Sequence, residues 1–166
     1  MKHVGRYGVF ETASSAVHSL TFKKEAREKS NLKISNDGKI HVVLDQHYGM
    51  DREDFFGQYD KLKYILTCMY CCKGCPDLSN EFERFEFLDD WIIREFADEF
   101  KKYTGAEFVV HPHLGQEGYR SSYDYFNHQI DMNDFWSGGC VVDLNDADQV
   151  MDFIFNPDVG LHCDCD

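Results

Sequence analysis

The stretch Asp51-Arg-Glu-Asp-Phe55-Phe-Gly-Gln-Tyr59-Asp-Lys-Leu62-Lys-Tyr-Ile-Leu66-Thr-Cys-Met69-Tyr-Cys-Cys72 decides the fold class. Phe55, Tyr59, Leu62, Leu66 and Met69 recur at 4-3-4-3 spacing, which lines one face of a helix, and Asp51 is a candidate N-cap. The sequence therefore predicts a helix over 51–72. After Gly74-Cys75-Pro76, Asn80 and Glu83 have the spacing of a capping box. They open a second predicted helix that would bury Phe85, Leu88, Trp91 or Ile92, Phe96 and Phe100, with Gly105 as its stop. A short loop between the two predicts an antiparallel helix pair.

On the N-terminal side, residues 6–12 and 17–24 read as strands around a break at Ser14-Ser15. Asn31–Ser35 and Lys39–Leu44 flank Asn36-Asp37-Gly38, a hairpin signal. On the C-terminal side, Glu107–His111 has strand character, and His113–Arg120 reads as a glycine-containing loop. Tyr123–Ile130 and Cys140–Leu144 are weaker strand candidates. Asn145 can cap a short helix, Asp146–Phe155, ended by Asn156-Pro157, and Leu161–Cys165 reads as a closing edge strand. The expected fold is a single α+β domain spanning residues 1–166: a mainly antiparallel sheet with the helix pair and the short C-terminal helix packed on it.

Charge is unevenly spread. Residues 1–40 hold eight Lys/Arg against four Asp/Glu, whereas residues 41–166 hold nine against 26, and the whole chain carries −13. So acidic a body repels nucleic acid and is steered toward basic protein surfaces; solubility alone would also account for it. Lys23, Lys24, Arg27, Lys29 and Lys33 form at most a local basic patch, so direct nucleic-acid binding is disfavoured. No stretch approaches the ~18 apolar residues of a membrane span, and the first residues lack a signal-peptide core. The expectation is a cytoplasmic protein.

Four constellations could carry chemistry. Glu11, Ser14, Ser15, His18 and Ser19 combine a carboxylate, hydroxyls and an imidazole, the parts of acid–base or nucleophilic catalysis; the hydroxyls could equally satisfy backbone at a strand break. His128, in Phe126-Asn127-His128-Gln129, is a second acid–base candidate or a buried structural histidine. His111 and His113 flank Pro112 and would share a strand face, where two imidazoles could grip one ion; two ligands alone do not make a site, and His128 would supply a third. Finally, Cys68, Cys72 and Cys75 lie at i, i+4 and i+7 near a helix end, and Cys163 in the His-Cys-Asp-Cys tail could complete a structural zinc site. Reduced thiols in the core, or disulfides, are the other readings.

The run Phe10-Glu11-Thr12-Ala13-Ser14-Ser15-Ala16-Val17-His18-Ser19 resembles a Phe-Glu-Thr-Asn-Ser-Ser-Ser-x-His-Ser motif of uncharacterised proteins from phages and Firmicute bacteria. Phe126-Asn127-His128-Gln129-Ile130 is similar to that family's Ile-Asp-His-Gln-Ser, and Phe153-Ile154-Phe155-Asn156-Pro157 to its helix-end Phe-Ile/Leu-Phe-Asn-Pro. Ala13, Ala16 and Ile130 depart from the pattern. The resemblance implies a phage or prophage source, hence a host-cell cytoplasm. It also implies that the N-terminal hydroxyls and His128 share one site, with Glu11, Ser14, Ser15, His18 and His128 as its catalytic candidates.

Two functions follow as expectations. One is a small acidic phage-type accessory protein that binds a host protein with a basic surface, such as a defence or nucleic-acid-handling component. The other is a small hydrolase or group-transfer enzyme acting on a polar or nucleotide-like substrate.

Overall fold

Helix α1, Gln58–Cys72, is the centre around which the other elements pack. A computed structural model describes residues 16–22, 32–48, 53–112, 125–126 and 140–165 of the chain. The helix begins at Gln58 rather than at Asp51, because Glu53–Phe55 forms a short strand instead of a first turn, and Gly57 takes the cap position without a side-chain cap. Its burial is broader than one stripe: Lys61, Leu62 and every residue from Tyr64 to Cys71 are buried. A helix covered on several sides loses the clean amphipathic signature.

The expected second helix is two. Helix α2, Glu81–Asp89, ends where α3, Trp91–Thr104, begins, and Asp90 lies between them with extended backbone (φ −57°, ψ 132°). The Asp90 carboxylate accepts from Ile92 N at 3.1 Å and is ion-paired with Lys73. A short acidic side chain that caps the following turn competes with helix continuation. The break re-aims the apolar face. Ile92, Ile93, Phe96 and Phe100 of α3 are buried as expected, but α2 buries only Phe87. Gly105 ends α3 in the left-handed region, φ 75°, its N–H donating to Lys101 O at 2.9 Å. The C-terminal helix α4, Ala147–Phe155, packs against both α1 and α3. That helix is capped by Asp146, whose carboxylate accepts from Gln149 N, rather than by Asn145.

The fold is mixed helix and strand, yet its strands do not form one mainly antiparallel sheet. Strands β1 (Ala16–Phe22), β3 (Glu53–Phe55) and β5 (Val159–Cys165) make a three-stranded antiparallel sheet in the order β1-β5-β3. The expected closing edge strand is therefore its middle strand. Strands β2 (Lys39–Leu44) and β4 (Glu107–Pro112) make a separate two-stranded sheet, and it is parallel. Parallel strands need a long crossover; here α1, α2 and α3 supply it.

The Asn36-Asp37-Gly38 turn does form, with Gly38 at φ 77° and Ser35 N donating to Lys39 O at 2.8 Å. Residues 32–35 nevertheless form no strand, and β2 takes its ladder from β4. Nor is there a strand at Cys140–Leu144; of Tyr123–Ile130, only Tyr125 and Phe126 are described, with Phe126 bridged to Tyr48. Ile40, Val42 and Leu44 face the core, leaving Lys39, His41 and Val43 on the outer face of β2. The core is strongly aromatic: Tyr48 stacks on Phe126 at 5.5 Å and meets Tyr64 edge-on at 5.1 Å, while Phe96, Phe100 and Phe108 form a second cluster. No helix among the described residues is long and apolar enough to cross a membrane.

Candidate functional site

Exposed aromatic side chains on α2 form the most conspicuous surface among the described residues. Phe82 and Phe85 are 67% and 66% exposed, Leu88 49%, and Trp91, just across the Asp90 break, 54%. Residues three apart are neighbours on a helix, so Phe82, Phe85 and Leu88 run as one ridge. Phe87 on the opposite side is buried and meets the Tyr70 ring edge-on at 6.0 Å, which fixes α2 against α1. The N-terminus of α2 is held by Asn80, whose side chain accepts from Phe82 N and Glu83 N. Glu83 turns back to accept from Asp77 N at 2.6 Å, a variant of the expected capping box. The segment from Glu81 to Asp90 carries five carboxylates, Glu81, Glu83, Glu86, Asp89 and Asp90, against Arg84; Glu83 and Asp90 are engaged at the helix caps, and Asp89 pairs with Arg94 at 3.3 Å. A shallow groove on this surface is lined by Glu81, Arg84, Phe85, Leu88 and Asp89.

The sequence places Phe85, Leu88 and either Trp91 or Ile92 in the core; Ile92 is buried, whereas Phe85, Leu88 and Trp91 are exposed. Their periodicity is that of a buried face. What it could not register is that Asp90 interrupts the helix and leaves this face in water.

Of the acid–base candidates, Glu11, Ser14, Ser15 and His128 lie outside the described residues, as do the expected strand at 6–12 and His113. His18 and Ser19 lie on β1, where their register partners are Cys163 and His162 of β5. His162 is in turn the register partner of Asp54 on β3, and its Nδ1 lies 2.6 Å from Asp54 Oδ1. Phe126, which begins the His128 motif, is a core residue.

A second imidazole group, which the sequence did not assemble, lies on the outer face of the parallel sheet. His41 Nδ1 is 2.7 Å from His111 Nε2, and His41 Nε2 is 2.9 Å from Asp37 Oδ2. The rings are nearly parallel, 19° apart with centroids at 5.0 Å. The Asp37 carboxyl is lowered to about 2, chiefly by the Ser35 hydroxyl and then by His41. Behind this row, the Tyr59 hydroxyl caps the open edge of β2, donating to His41 O at 3.3 Å and accepting from Val43 N at 3.4 Å. Edge strands otherwise present unpaired backbone to solvent.

The cysteines divide into groups. Cys68, Cys71, Cys72, Cys75, Cys140 and Cys163 are free thiols, and all but the half-buried Cys72 are buried. Burial pushes the Cys68 thiol up, whereas Cys140, against its own burial, is held lower by the neighbouring Cys68 thiol, the Val142 N–H and Tyr64. Cys163 and Cys68 both lie near enough to Tyr64 and Tyr48 to add to the burial that raises those hydroxyls. Cys72 is pushed up to about 12 by burial. Cys75 sits instead beside Cys71, Sγ to Sγ 3.8 Å. The structure thus places Cys68 and Cys163 in one neighbourhood and directs Cys75 to a different sulfur. Among the described residues, no set of three or more His, Cys, Asp or Glu is arranged to hold a metal ion.

Comparison of the chain with family models, curated proteins and solved structures gave no match.

Proposed function

We propose that this protein is a binding protein whose α2 ridge captures a basic, partly apolar segment of a partner protein. The observation that carries this reading is the row Phe82, Phe85 and Leu88, exposed to water on a helix pinned by Phe87, with Glu81 and Asp89 beside Phe85 and Leu88 in the groove. Aromatic anchors supply most of the energy of protein interfaces, and complementary charge selects the partner and accelerates encounter. Exposed apolar patches of this kind mark interaction sites. A second copy of the chain is a poor occupant, because pairing two ridges would oppose two sets of carboxylates. A basic partner relieves that repulsion. The −13 charge of the whole chain steers the same kind of molecule toward it. Taken with the resemblance to phage and Firmicute proteins, the proposal extends to a phage-type accessory factor acting on a host protein.

The test uses Trp91 fluorescence as reporter and two amphipathic helical peptides as probes, one of Lys and Leu and one of Glu and Leu. Saturable binding of the basic peptide alone is expected, weakened ~30-fold by Phe85→Ala, the size of a hot-spot loss. Equal binding of both peptides, or an unchanged affinity in Phe85→Ala and Phe82→Ala, overturns the reading.

A further inference from the structure

We propose that His41 and His111 together bind a divalent transition-metal ion, with Asp37 holding His41 from behind. This site is separate from the α2 ridge and does not depend on it. The sequence marked His111 as half of a possible pair with His113. The parallel register supplies a different partner, because His41 on β2 and His111 on β4 project from the same outer sheet face.

Three features make the pair a candidate for a metal ion. Two imidazole nitrogens converge to 2.7 Å on rigid strands rather than on loops. The other nitrogen of His41 is engaged by the Asp37 carboxylate at 2.9 Å, the carboxylate–histidine pairing that orients metal-ligating imidazoles. That carboxylate is itself fixed, accepting from the Ser35 hydroxyl and from Lys39 N at 3.1 Å.

Protonation follows from the hydrogen bonds. An ionised Asp37 only accepts, so the His41 Nε2 carries the proton and neutral His41 turns the Nδ1 lone pair toward His111. In the metal-free protein His111 Nε2–H donates into that lone pair. To ligate through Nε2, His111 takes the tautomer with its proton on Nδ1. Two nitrogens at ~2.0–2.1 Å from a tetrahedral ion stand roughly 3.3 Å apart, so the rings must part by about half an ångström, which a solvent-facing pair can do by small side-chain rotations. With two protein ligands, water fills the remaining positions, so the site is weaker than a four-ligand structural one. Imidazole donors without thiolates suit Ni²⁺, Cu²⁺ or Zn²⁺ rather than Ca²⁺ or Mg²⁺.

The experiment is calorimetric titration of the full chain with Ni²⁺, chosen because the chain's thiols favour softer ions. One saturable site is expected. His41→Ala and His111→Ala should each remove it, and Asp37→Asn should weaken it 10- to 100-fold, the usual cost of losing an orienting carboxylate. Circular dichroism confirms that the variants fold. In a second readout, paramagnetic Ni²⁺ should broaden the imidazole NMR signals that disappear in His41→Ala and His111→Ala before any others. Absence of binding by the unaltered protein, or binding that survives both alanine substitutions, overturns the proposal.

Discussion

The ammonium of Lys61, buried in the first turn of α1, donates to the carbonyl of Asn156 at 2.7 Å. A second bond at 2.9 Å reaches the carbonyl of Val159, and the Phe153 ring lies 5.5 Å from the charge. One side chain therefore ties the central helix to the turn between α4 and β5. Loss of these bonds leaves two part-buried carbonyls without the ammonium. Lys61→Met should lower stability by about 3 kcal/mol, given ~1–3 kcal/mol for each buried group left unsatisfied. Urea unfolding measures it; a change below about 1 kcal/mol would show that this tie is energetically idle.

Helix α2 offers a contrast between neighbouring phenylalanines. Phe87→Ala should cost about 3 kcal/mol or more, in line with large-to-small core substitutions. Phe82→Ala and Phe85→Ala should change stability by no more than ~0.5 kcal/mol, as surface substitutions do. Thermal unfolding of the three variants side by side makes the comparison. If Phe85→Ala proves as costly as Phe87→Ala, the ridge is structural rather than available.

Asp90 acts as a cap and as the partner of Lys73. Asp90→Ala should destabilise the fold by about 1 kcal/mol, the typical loss of an N-cap. It should also raise helix content slightly, since nothing then favours the break. Far-ultraviolet circular dichroism together with urea unfolding separates the two effects.

Cys72 is half-buried, yet its thiol is pushed up to about 12 by burial. At pH 8 it should therefore react with iodoacetamide at least ~100-fold more slowly than a free cysteine, because the thiolate is the nucleophile. Mass spectrometry of partly labelled protein reads this site by site. Rapid labelling of Cys72 in the folded protein would contradict the environment described.

The depressed Asp37 carboxyl sets a pH window with a definite sign. Its folded value, about 2, lies below the ordinary aspartate value of ~3.9. The turn's contribution is thus present above ~3.9 and is lost as pH falls toward 2. Carboxyl ¹³C shifts should place the Asp37 midpoint near 2, and Ser35→Ala should raise it, since the Ser35 hydroxyl is the main cause. No movement in Ser35→Ala would assign the effect elsewhere.

Local signals carried a good part of this fold. The strands read at 39–44 and 107–111, the start of a helix after Asn80, the helix before Asn156 and the stop at Gly105 follow from alternation, capping chemistry and glycine geometry, all of which act within a few residues. The place of His111 on a strand was legible too. What chain-local patterns could not carry were the pairings. His41 meets His111 from 70 residues away because the helices between them make β2 and β4 parallel neighbours. Gly160 shows the same limit: a Cβ there would stand 2.6 Å from the Phe56 ring, a reason for glycine that arises only once β3 lies against β5.

The amino-acid order by itself determined that the chain is acidic, aromatic and mixed in secondary structure, because charge, hydropathy and turn chemistry are properties of neighbouring residues. Tertiary structure decided which apolar residues are core and which are surface. Phe85 and Phe87 differ by two positions and are equally hydrophobic; only the turn at Asp90 and the contact with Tyr70 place one in water and the other inside. Burial is a relation between distant segments, and no single segment encodes it.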